Sequence, residues 1–213
     1  MIINIGGNTL FKMLYYIAPI SNLHGIFKHR KVFCRKDAER KGLIKEDPSD
    51  KDVQRRRTNK IIYEGREKRY NLHDYVNLYI NPRNAMLYRY LREKDKIAVL
   101  EFSGDLLSKF RYVRYSFKNA SADDAIISGS PYLINENIQR IFSSSWNGDE
   151  ELKKIMQSEV LVFGYVPIDF LVSIITPSKY IEEVKGIVRK YELNIPVFSK
   201  SRQIEDIFFE SEF

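Results

Sequence analysis

One carboxylate stands out in the sequence because it begins an otherwise apolar run. Glu159 follows Gln157-Ser158 and precedes Val160-Leu161-Val162-Phe163, a pattern typical of a buried β-strand. A carboxylate held in place can accept a proton or stabilise positive charge that develops in a transition state. Taken alone, however, a glutamate at a strand end is most often a solvated side chain, so the neighbouring motifs have to decide between the two interpretations.

Two further segments place polar residues beside apolar strands. The first is residues 16–26 (YIAPISNLHGI), which predicts a strand leading into a helix with Ser21 as its N-cap. The second is residues 72–88 (LHDYVNLYINPRNAMLY), whose strand over 75–80 ends at Asn81-Pro82 because proline lacks a backbone donor. In both segments, a helix is predicted shortly after the strand ends.

Positive charge is concentrated in one part of the chain. The formal net charge is +7, and the stretch from Lys28 to Arg69 holds 16 Lys and Arg against 8 Asp and Glu. Such a segment is the footprint expected for a polyanionic partner, because neutralising phosphates releases counterions. The alternative is a solvated, flexible loop whose charge only maintains solubility.

The sequence lacks the residue patterns that several common catalytic and metal-binding sites require. Three histidines and the single Cys34 offer no zinc-type spacing and no disulfide. The sequence contains no GxxxxGK[ST] or GxGxxG phosphate loop, and no GxSxG elbow supports a Ser/His/Asp triad. The nearest candidate for a metal-dependent nuclease, Glu183-Val184-Lys185, lies in a helical pattern that favours a solvated face. No bilayer-spanning run or secretion signal is found, so we expect a cytoplasmic protein.

The elements that must position these residues are short strands interleaved with helices. At 213 residues the chain is expected to form one α+β domain around a curved sheet, over 14–213, preceded by a loose extension over 1–13. Strands are predicted over 14–17, 75–80, 97–102, 112–117, 159–163, 171–175 and 195–198. Helices are predicted over 22–29, 49–60, 84–91, 135–142, 149–157 and 181–191. Residues 118–133 are predicted to form a long surface loop with one short helical turn, and such loops are usually functional.

Taken in order, these motifs resemble the DarT family, bacterial toxins that ADP-ribosylate bases of single-stranded DNA. The resemblance runs from about Leu14 to Phe198, and the segment at 72–88 is its most specific part. The stretch Ser144-Ser145-Trp146, the helix after it and the Gln-x-Glu strand start are also similar to the family. The resemblance implies a single-domain ADP-ribosyltransferase fold, in which a split sheet holds NAD in a cleft.

The same resemblance implies roles for particular residues. Glu159 corresponds to the family's catalytic glutamate, and Arg57, with Arg56 as the alternative, to a catalytic arginine that also contacts NAD. The remaining NAD contacts are implied for Tyr16, Ala18, Asn22, Met86 and Leu87. NAD is the expected co-substrate, and no metal is expected. Cleavage of the bond between nicotinamide and ribose builds positive charge on the sugar, which a carboxylate stabilises.

DNA contacts are implied for the basic helix and for the loop at 118–133. The residues of this chain that would make these contacts are Arg55, Arg56, Asn119 and Ser121. The expected partners are single-stranded DNA, in which thymine or guanine is the modified base, and an antitoxin with a macrodomain that removes ADP-ribose. The protein is expected to be a monomer with no membrane partner.

Two positions depart from the family pattern. Tyr16 stands where many members carry a histidine near the nicotinamide-bearing half of NAD, so that contact has to be made by a hydroxyl and a ring face. Arg30 stands where a glycine is expected after the first helix, so the backbone path there can differ.

Two rival functions remain at this point. An ADP-ribosyltransferase that modifies RNA or protein would use the same glutamate. A non-catalytic nucleic-acid-binding protein would account for the charge, but not for an isolated carboxylate on an apolar strand.

Overall fold

The protein forms an α+β domain whose core is one large sheet. The computed structural model describes residues 2–5, 8–47, 51–65 and 68–209. The strands are β1 (Ile2–Ile5), β2 (Asn8–Phe11), β3 (Met13–Pro19), β4 (Lys31–Phe33), β5 (Ile61–Glu64), β6 (Lys68–Asn71), β7 (Tyr75–Tyr79), β8 (Ile97–Ser103), β9 (Val113–Phe117), β10 (Ile126–Ser128), β11 (Glu159–Phe163), β12 (Tyr165–Pro167), β13 (Leu171–Ile175) and β14 (Val197–Phe198). The helices are α1 (Leu23–His29), α2 (Arg35–Arg40), α3 (Lys51–Asn59), α4 (Ala85–Glu93), α5 (Tyr132–Glu136), α6 (Ile138–Ile141), α7 (Glu150–Ile155) and α8 (Ile181–Lys190). Short 3₁₀ helices cover Ile20–Asn22, Leu72–Asp74, Gly104–Lys109, Ile168–Phe170 and Ser178–Tyr180.

The large sheet is split into two halves. Its eight strands follow the order β10-β9-β11-β7-β3-β8-β13-β14, in which only β13 and β14 run parallel. β3 pairs with β8 over its whole length, from Met13 to Pro19. β3 and β7 pair at Tyr15 and Tyr79, which lie opposite each other in the sheet. The two halves therefore diverge beyond this pair, which leaves room for a cleft between β3 and β7.

Apolar residues on both faces hold the sheet in place. β8 and β11 read as nearly continuous apolar runs, and their side chains are almost wholly buried, as expected for strands covered on both faces. One face packs against α8 through Val184, Ile187 and Val188. A C-terminal segment covers part of the other face with Ile207, Phe208 and Phe209.

Most of the predicted elements are confirmed within one to three residues. The strand predicted over 159–163 and the strand over 171–175 match β11 and β13 residue for residue. The helix predicted over 84–91 is α4, and the Asn84 side chain caps it by accepting hydrogen bonds from the Met86 and Leu87 amides at 3.1 and 3.2 Å. The helix predicted over 49–60 is α3; its expected first residues, 49 and 50, lie outside the described residues.

Two local predictions are wrong. Ser21 does not cap α1, because a 3₁₀ turn over Ile20–Asn22 precedes that helix and the Ser21 hydroxyl points to Glu46 instead. The stretch 118–133 contains no helical turn before α5; it contains the short strand β10, which pairs with β9. It is not a purely surface loop either, since Ala120 and Ser121 are buried.

The turn after α1 explains one departure from the family pattern. Arg30 adopts the left-handed conformation, with φ 52° and ψ 32°, and its amide bonds to the Phe27 carbonyl. Glycine adopts this conformation without steric cost at the end of a helix. The structure therefore keeps the backbone turn that a glycine would favour, at the cost of some strain in an arginine.

The N-terminal residues also form regular structure. β1 and β2 make an antiparallel hairpin, and Phe11 at its end is buried in the core. Here the chain passes so close to the start of the 3₁₀ helix that a Cβ on Gly104 would lie 1.4 Å from the Phe11 carbonyl oxygen. In the described ranges, no helix is long and apolar enough to cross a membrane.

Replacing this glycine tests the close approach. Gly104→Ala is expected to lower the free energy of unfolding by about 1–3 kcal/mol, because the backbone must shift to admit the methyl group. Gly186→Ala is the matched control: it lies inside α8 with nothing within 4 Å of its Cβ position. The control is expected to raise stability by about 0.4–1 kcal/mol. Urea unfolding of both variants checks the opposite signs, and equal effects would contradict the packing described here.

Candidate active site

A cleft of about 1120 Å³ opens where β3 and β7 diverge. This volume is at or above the roughly 300–1,000 Å³ of most small-molecule sites. β3 contributes Tyr16, Ile17 and Pro19 to its walls, and β7 contributes Tyr75, Asn77 and Tyr79. The remaining walls come from α3, from the start of α4, from the segment before α3 and from residues 119–124.

Glu159 lies behind the wall of this cleft with no exposed surface. It is the first residue of β11, an interior strand between β9 and β7. In the register of the sheet, Glu159 is paired with Ser116 of β9 and with Tyr79 of β7. The ordinary expectation for a glutamate at a strand end is a solvated side chain, and the structure buries this one instead. The carboxylate accepts hydrogen bonds from Arg57 Nη1, at 3.1 Å to Oε1 and 3.4 Å to Oε2, and from the Ala120 amide at 2.9 Å.

Arg57 is the buried arginine of α3. Its side chain is 8% exposed and lines the cleft in front of Glu159. Arg56 lines the cleft from an exposed position, while Arg55 is exposed and pairs with Asp52 one turn earlier. Of the three consecutive arginines, the structure therefore brings Arg57 to the carboxylate, which is the choice that the sequence favoured.

A hydrogen-bonded turn at the start of the 118–133 segment holds the other side of the carboxylate. Asn119 Oδ1 accepts from the Ser121 amide and hydroxyl at 2.9 and 2.8 Å, and Asn119 Nδ2 donates to Gln157 Oε1 at 3.0 Å. This turn fixes the Ala120 amide that faces Glu159. Asn119 and Ser121 both line the cleft, so the two loop residues predicted to contact DNA lie next to the carboxylate.

Two tyrosines of the cleft are held in their neutral form. Burial and then the negative charge of Glu159 raise the pKa of Tyr79 far above its ordinary value, against the opposing charge of Arg57. Burial likewise raises the pKa of Tyr16 to about 12, and Arg35 nearby opposes this shift. Both hydroxyls therefore keep their protons at neutral pH. Tyr79 is buried in the core and is also the register partner of Glu159, which places it beside the carboxylate.

Asn22 lines the cleft, but its amide already has partners. Its Oδ1 accepts from the Lys45 and Glu46 amides at 2.8 and 3.1 Å, and its Nδ2 donates to the Glu46 carbonyl at 2.7 Å. Glu46 in turn accepts from the Tyr90 hydroxyl at 2.8 Å. Asn22 thus holds the segment before α3 against α1 and α4.

The other residues predicted to contact NAD divide between the cleft and the core. Met86 lines the cleft beside Tyr88 and Trp146. Ala18 and Leu87 are buried, and their side chains pack in the core rather than in the cleft wall. The structure brings Tyr16, Asn22, Arg57 and Met86 into one cavity, together with the loop residues named above.

His73 and Gln54 form a further polar pair in the cleft wall. His73 Nε2 lies 2.8 Å from Gln54 Oε1, which connects the 3₁₀ turn before β7 to α3, one turn before Arg57. Burial, followed by the positive charges of Arg35 and Arg57, lowers the pKa of His73. This pair anchors the helix that carries Arg57.

Metal-ligating side chains do not cluster in the described part of the chain: no group of three or more His, Cys, Asp or Glu residues there could hold an ion. The site that the structure presents is therefore a carboxylate, an arginine, a backbone amide and two neutral tyrosines around an open cleft. This set can stabilise developing positive charge and accept a proton.

Comparison with known proteins matches the chain to one family. A family model described as "ssDNA thymidine ADP-ribosyltransferase, DarT" matches residues 15–209. A curated DNA ADP-ribosyl transferase–DNA ADP-ribosyl glycohydrolase fusion protein from Thermosipho africanus (strain H17ap60334) is 26% identical over 160 residues. That match covers 71% of this chain but 39% of the relative, so the chain spans about two fifths of the length of that protein.

Solved structures share the fold. The structure of Thermus sp. 2.9 DarT in complex with ADP-ribosylated ssDNA superposes with a TM-score of 0.77 at 21% identity, covering 90% of this chain and 95% of that one. Thermus sp. 2.9 DarT in complex with NAD⁺ gives a TM-score of 0.70 at 21% identity, covering 89% and 96%. The predicted ADP-ribosyltransferase fold is thereby confirmed.

The buried pair makes a prediction about stability. Arg57→Ala is expected to lower the free energy of unfolding by about 3 kcal/mol, because it leaves the Glu159 carboxylate buried without a cation. Arg55→Ala, on the exposed face of the same helix, is expected to change it by less than about 0.5 kcal/mol. In the double variant Arg57→Met/Glu159→Leu, much of the loss should be recovered. Urea unfolding measures all three, and a double variant at least as unstable as Arg57→Ala would contradict the coupling of the two side chains.

Proposed function

The chain belongs to the DarT family of single-stranded DNA thymidine ADP-ribosyltransferases, enzymes that use NAD, and we propose that it transfers ADP-ribose from NAD to a thymine base of single-stranded DNA. The observation that carries this proposal is the Glu159 carboxylate, held by Arg57 and the Ala120 amide directly behind a large cleft. The family description supports thymine over guanine as the acceptor.

The cleft fits a dinucleotide in size and chemistry. Its volume admits a ligand larger than most small molecules. Tyr16, Met86, Tyr88 and Trp146 offer ring faces and apolar surface for flat rings, and Arg57 offers a permanent positive charge for a pyrophosphate. Tyr16, in the place of the family's usual histidine, contributes a neutral hydroxyl donor there.

Glu159 is the proposed catalytic residue. As nicotinamide departs with the bonding electrons, positive charge grows on the ribose carbon, and a nearby carboxylate lowers the energy of that transition state. The base then forms a new bond to this carbon and loses a proton, which Glu159 accepts. Arg57 holds the carboxylate in its orientation until the substrate arrives.

Glu159 can act only after its surroundings move. The carboxylate has no exposed surface, and Arg57 and the turn at 119–121 stand between it and the cleft. A bound substrate therefore has to draw Arg57 toward itself, and the pyrophosphate of NAD has the charge to do so. Arg57 accordingly has two proposed partners, Glu159 in the free protein and NAD in the complex.

Single-stranded DNA is the proposed acceptor because a base must leave its stack to enter a cleft. Arg56 and the side chains of Asn119 and Ser121 line the cleft where such a base would enter. Arg55 is paired with Asp52 on the same helix and lies farther from the cleft. An RNA or protein acceptor would use the same carboxylate, and a non-catalytic binding protein would not need it.

A partner that reverses the modification is also proposed. The fusion protein from Thermosipho africanus carries a DNA ADP-ribosyl glycohydrolase in the same chain as its transferase. We infer a separate or fused glycohydrolase with a macrodomain for this protein, and a toxic effect of the transferase when that partner is missing. The chain is proposed to act in the cytoplasm as a monomer.

Mass spectrometry of a single-stranded oligonucleotide incubated with the protein and NAD tests the proposed function. The wild-type protein is expected to add the mass of ADP-ribose, at thymine, and Glu159→Gln to slow this addition by about 10²–10⁴-fold. Glu101→Gln is the matched control, because Glu101 is also buried but lies on β8, bonded to Ser173. The control is expected to retain the activity.

Other outcomes separate the alternatives. Release of nicotinamide without a change in DNA mass would point to an RNA or protein acceptor. Modification of guanine alone would correct the proposed base. A folded protein that binds the oligonucleotide and never consumes NAD would contradict the proposal.

A further inference from the structure

The β5–β6 hairpin has one buried and one exposed face. On the inner face, Ile62 is 5% exposed and packs with Leu72 and Leu161. Glu64 on the same face accepts a hydrogen bond from the Tyr75 hydroxyl at 2.6 Å and pairs with Arg114. The hairpin is therefore fastened firmly to the body of the domain.

Its outer face carries large side chains that remain in solvent. Ile61 is 46% exposed and Tyr63 is 60% exposed. Tyr63 is paired across the hairpin with Arg69, whose guanidinium lies 5.6 Å from the centre of the tyrosine ring. A single exposed ring is common on protein surfaces, but Ile61 and Tyr63 share one strand face beside a basic residue, and a contiguous apolar patch with a polar rim marks an interaction site.

The positive charge around this face is not neutralised by the described residues. Arg69 shares the outer face with Tyr63 and makes no ion pair with any described carboxylate. Lys68, opposite Glu64 in the register, and Tyr112, which packs on Tyr70 and Phe163, lie on the inner side. An exposed ring beside an unpaired cation is the combination that binds single-stranded nucleic acid, by stacking a base and neutralising a phosphate.

The hairpin is also connected to the cleft. It follows α3 directly, and its base is closed by a hydrogen bond from the Leu72 amide to the Lys60 carbonyl at 3.1 Å. Lys60 Nζ donates to the Ala122 carbonyl, at 2.7 Å, in the segment that lines the cleft. A strand of DNA whose base occupies the cleft would therefore have this hairpin as its neighbour.

We propose that the outer face of the β5–β6 hairpin, with Tyr63 as the stacking ring and Arg69 as the phosphate contact, binds nucleotides that flank the target base. This inference rests on the proposed function, because it takes single-stranded DNA as the substrate. The hairpin acts by holding the strand, not by taking part in the transfer.

Binding of a mixed-sequence 20-nucleotide strand and of thymidine monophosphate, which has no flanking nucleotides, tests this inference. Fluorescence anisotropy without NAD is expected to show Tyr63→Ala binding the long strand about 5- to 100-fold more weakly, from the loss of one stacked base. Labelled thymidine monophosphate should bind both proteins alike. Tyr132→Ala, at a tyrosine that is 62% exposed on α5, is the matched control and should leave both affinities unchanged.

Salt dependence tests the charged residue separately. Arg69→Ala should reduce the slope of log Kd against log salt concentration by about 0.7 for the long strand, the value for one lost phosphate contact on a single strand. Arg140→Ala, on α6, should keep the wild-type slope.

The possible results separate this inference from the proposed function. Equal binding of the long strand by Tyr63→Ala and wild type would overturn the inference, and the exposed face would then be assigned to binding a protein partner. Equal losses for the long strand and for thymidine monophosphate would also overturn it, since the hairpin would then be shaping the cleft. A wild-type protein that shows the length effect but never transfers ADP-ribose would overturn the proposed function alone.

Discussion

The site depends on a carboxylate that the fold buries and then has to keep charged. Glu159 lies on an interior strand, and an ionised group in such a place is tolerated only when a cation and hydrogen-bond donors surround it. Arg57 and the Ala120 amide meet that demand from two different parts of the chain. Much of the surrounding architecture serves these two contacts: the His73–Gln54 pair anchors α3, and the Asn119–Gln157 bond fixes the turn that presents the amide. In the proposed transfer, a carboxylate held in this way is already desolvated when the substrate arrives, which strengthens its interaction with the transition state.

The split sheet provides the space in front of that charge. β3 stays with β8 because the apolar side chains of both strands are buried on the same core, while β7 stays with β11 for the same reason. Tyr15 and Tyr79 join the halves at one point, and beyond it the strands part. The stability of the domain therefore comes from two well-packed half-sheets, and few packing contacts are lost at the cleft between them. The walls are completed by loops and by α3, which can change position without disturbing either half.

The sequence predicted the parts of this arrangement that are encoded locally. The strand from Glu159 to Phe163 is an unbroken apolar run, and α4 has a capping asparagine, so both could be placed almost to the residue. The β5–β6 hairpin could not, because its strands are short and half charged and show no sustained alternation. Nor could the burial of Glu159, since its partner Arg57 lies 102 positions away and Ala120 contributes a backbone amide that no side-chain pattern reveals. The resemblance to a known family identified the glutamate and the arginine before any geometry was known, while their ion pair is visible only in three dimensions.

Glu159 is proposed to act on the transition state, and Arg57 is proposed to leave Glu159 for NAD when the substrate binds. Titration calorimetry of NAD into Glu159→Gln, beside the wild-type protein, tests this most directly. Because the variant removes a competitor for Arg57 but no contact to bound NAD, its affinity is expected to stay within about tenfold of wild type or to become tighter. Loss of affinity by more than about a hundredfold in a folded variant would contradict the account, because the carboxylate would then be holding NAD itself rather than stabilising the reaction.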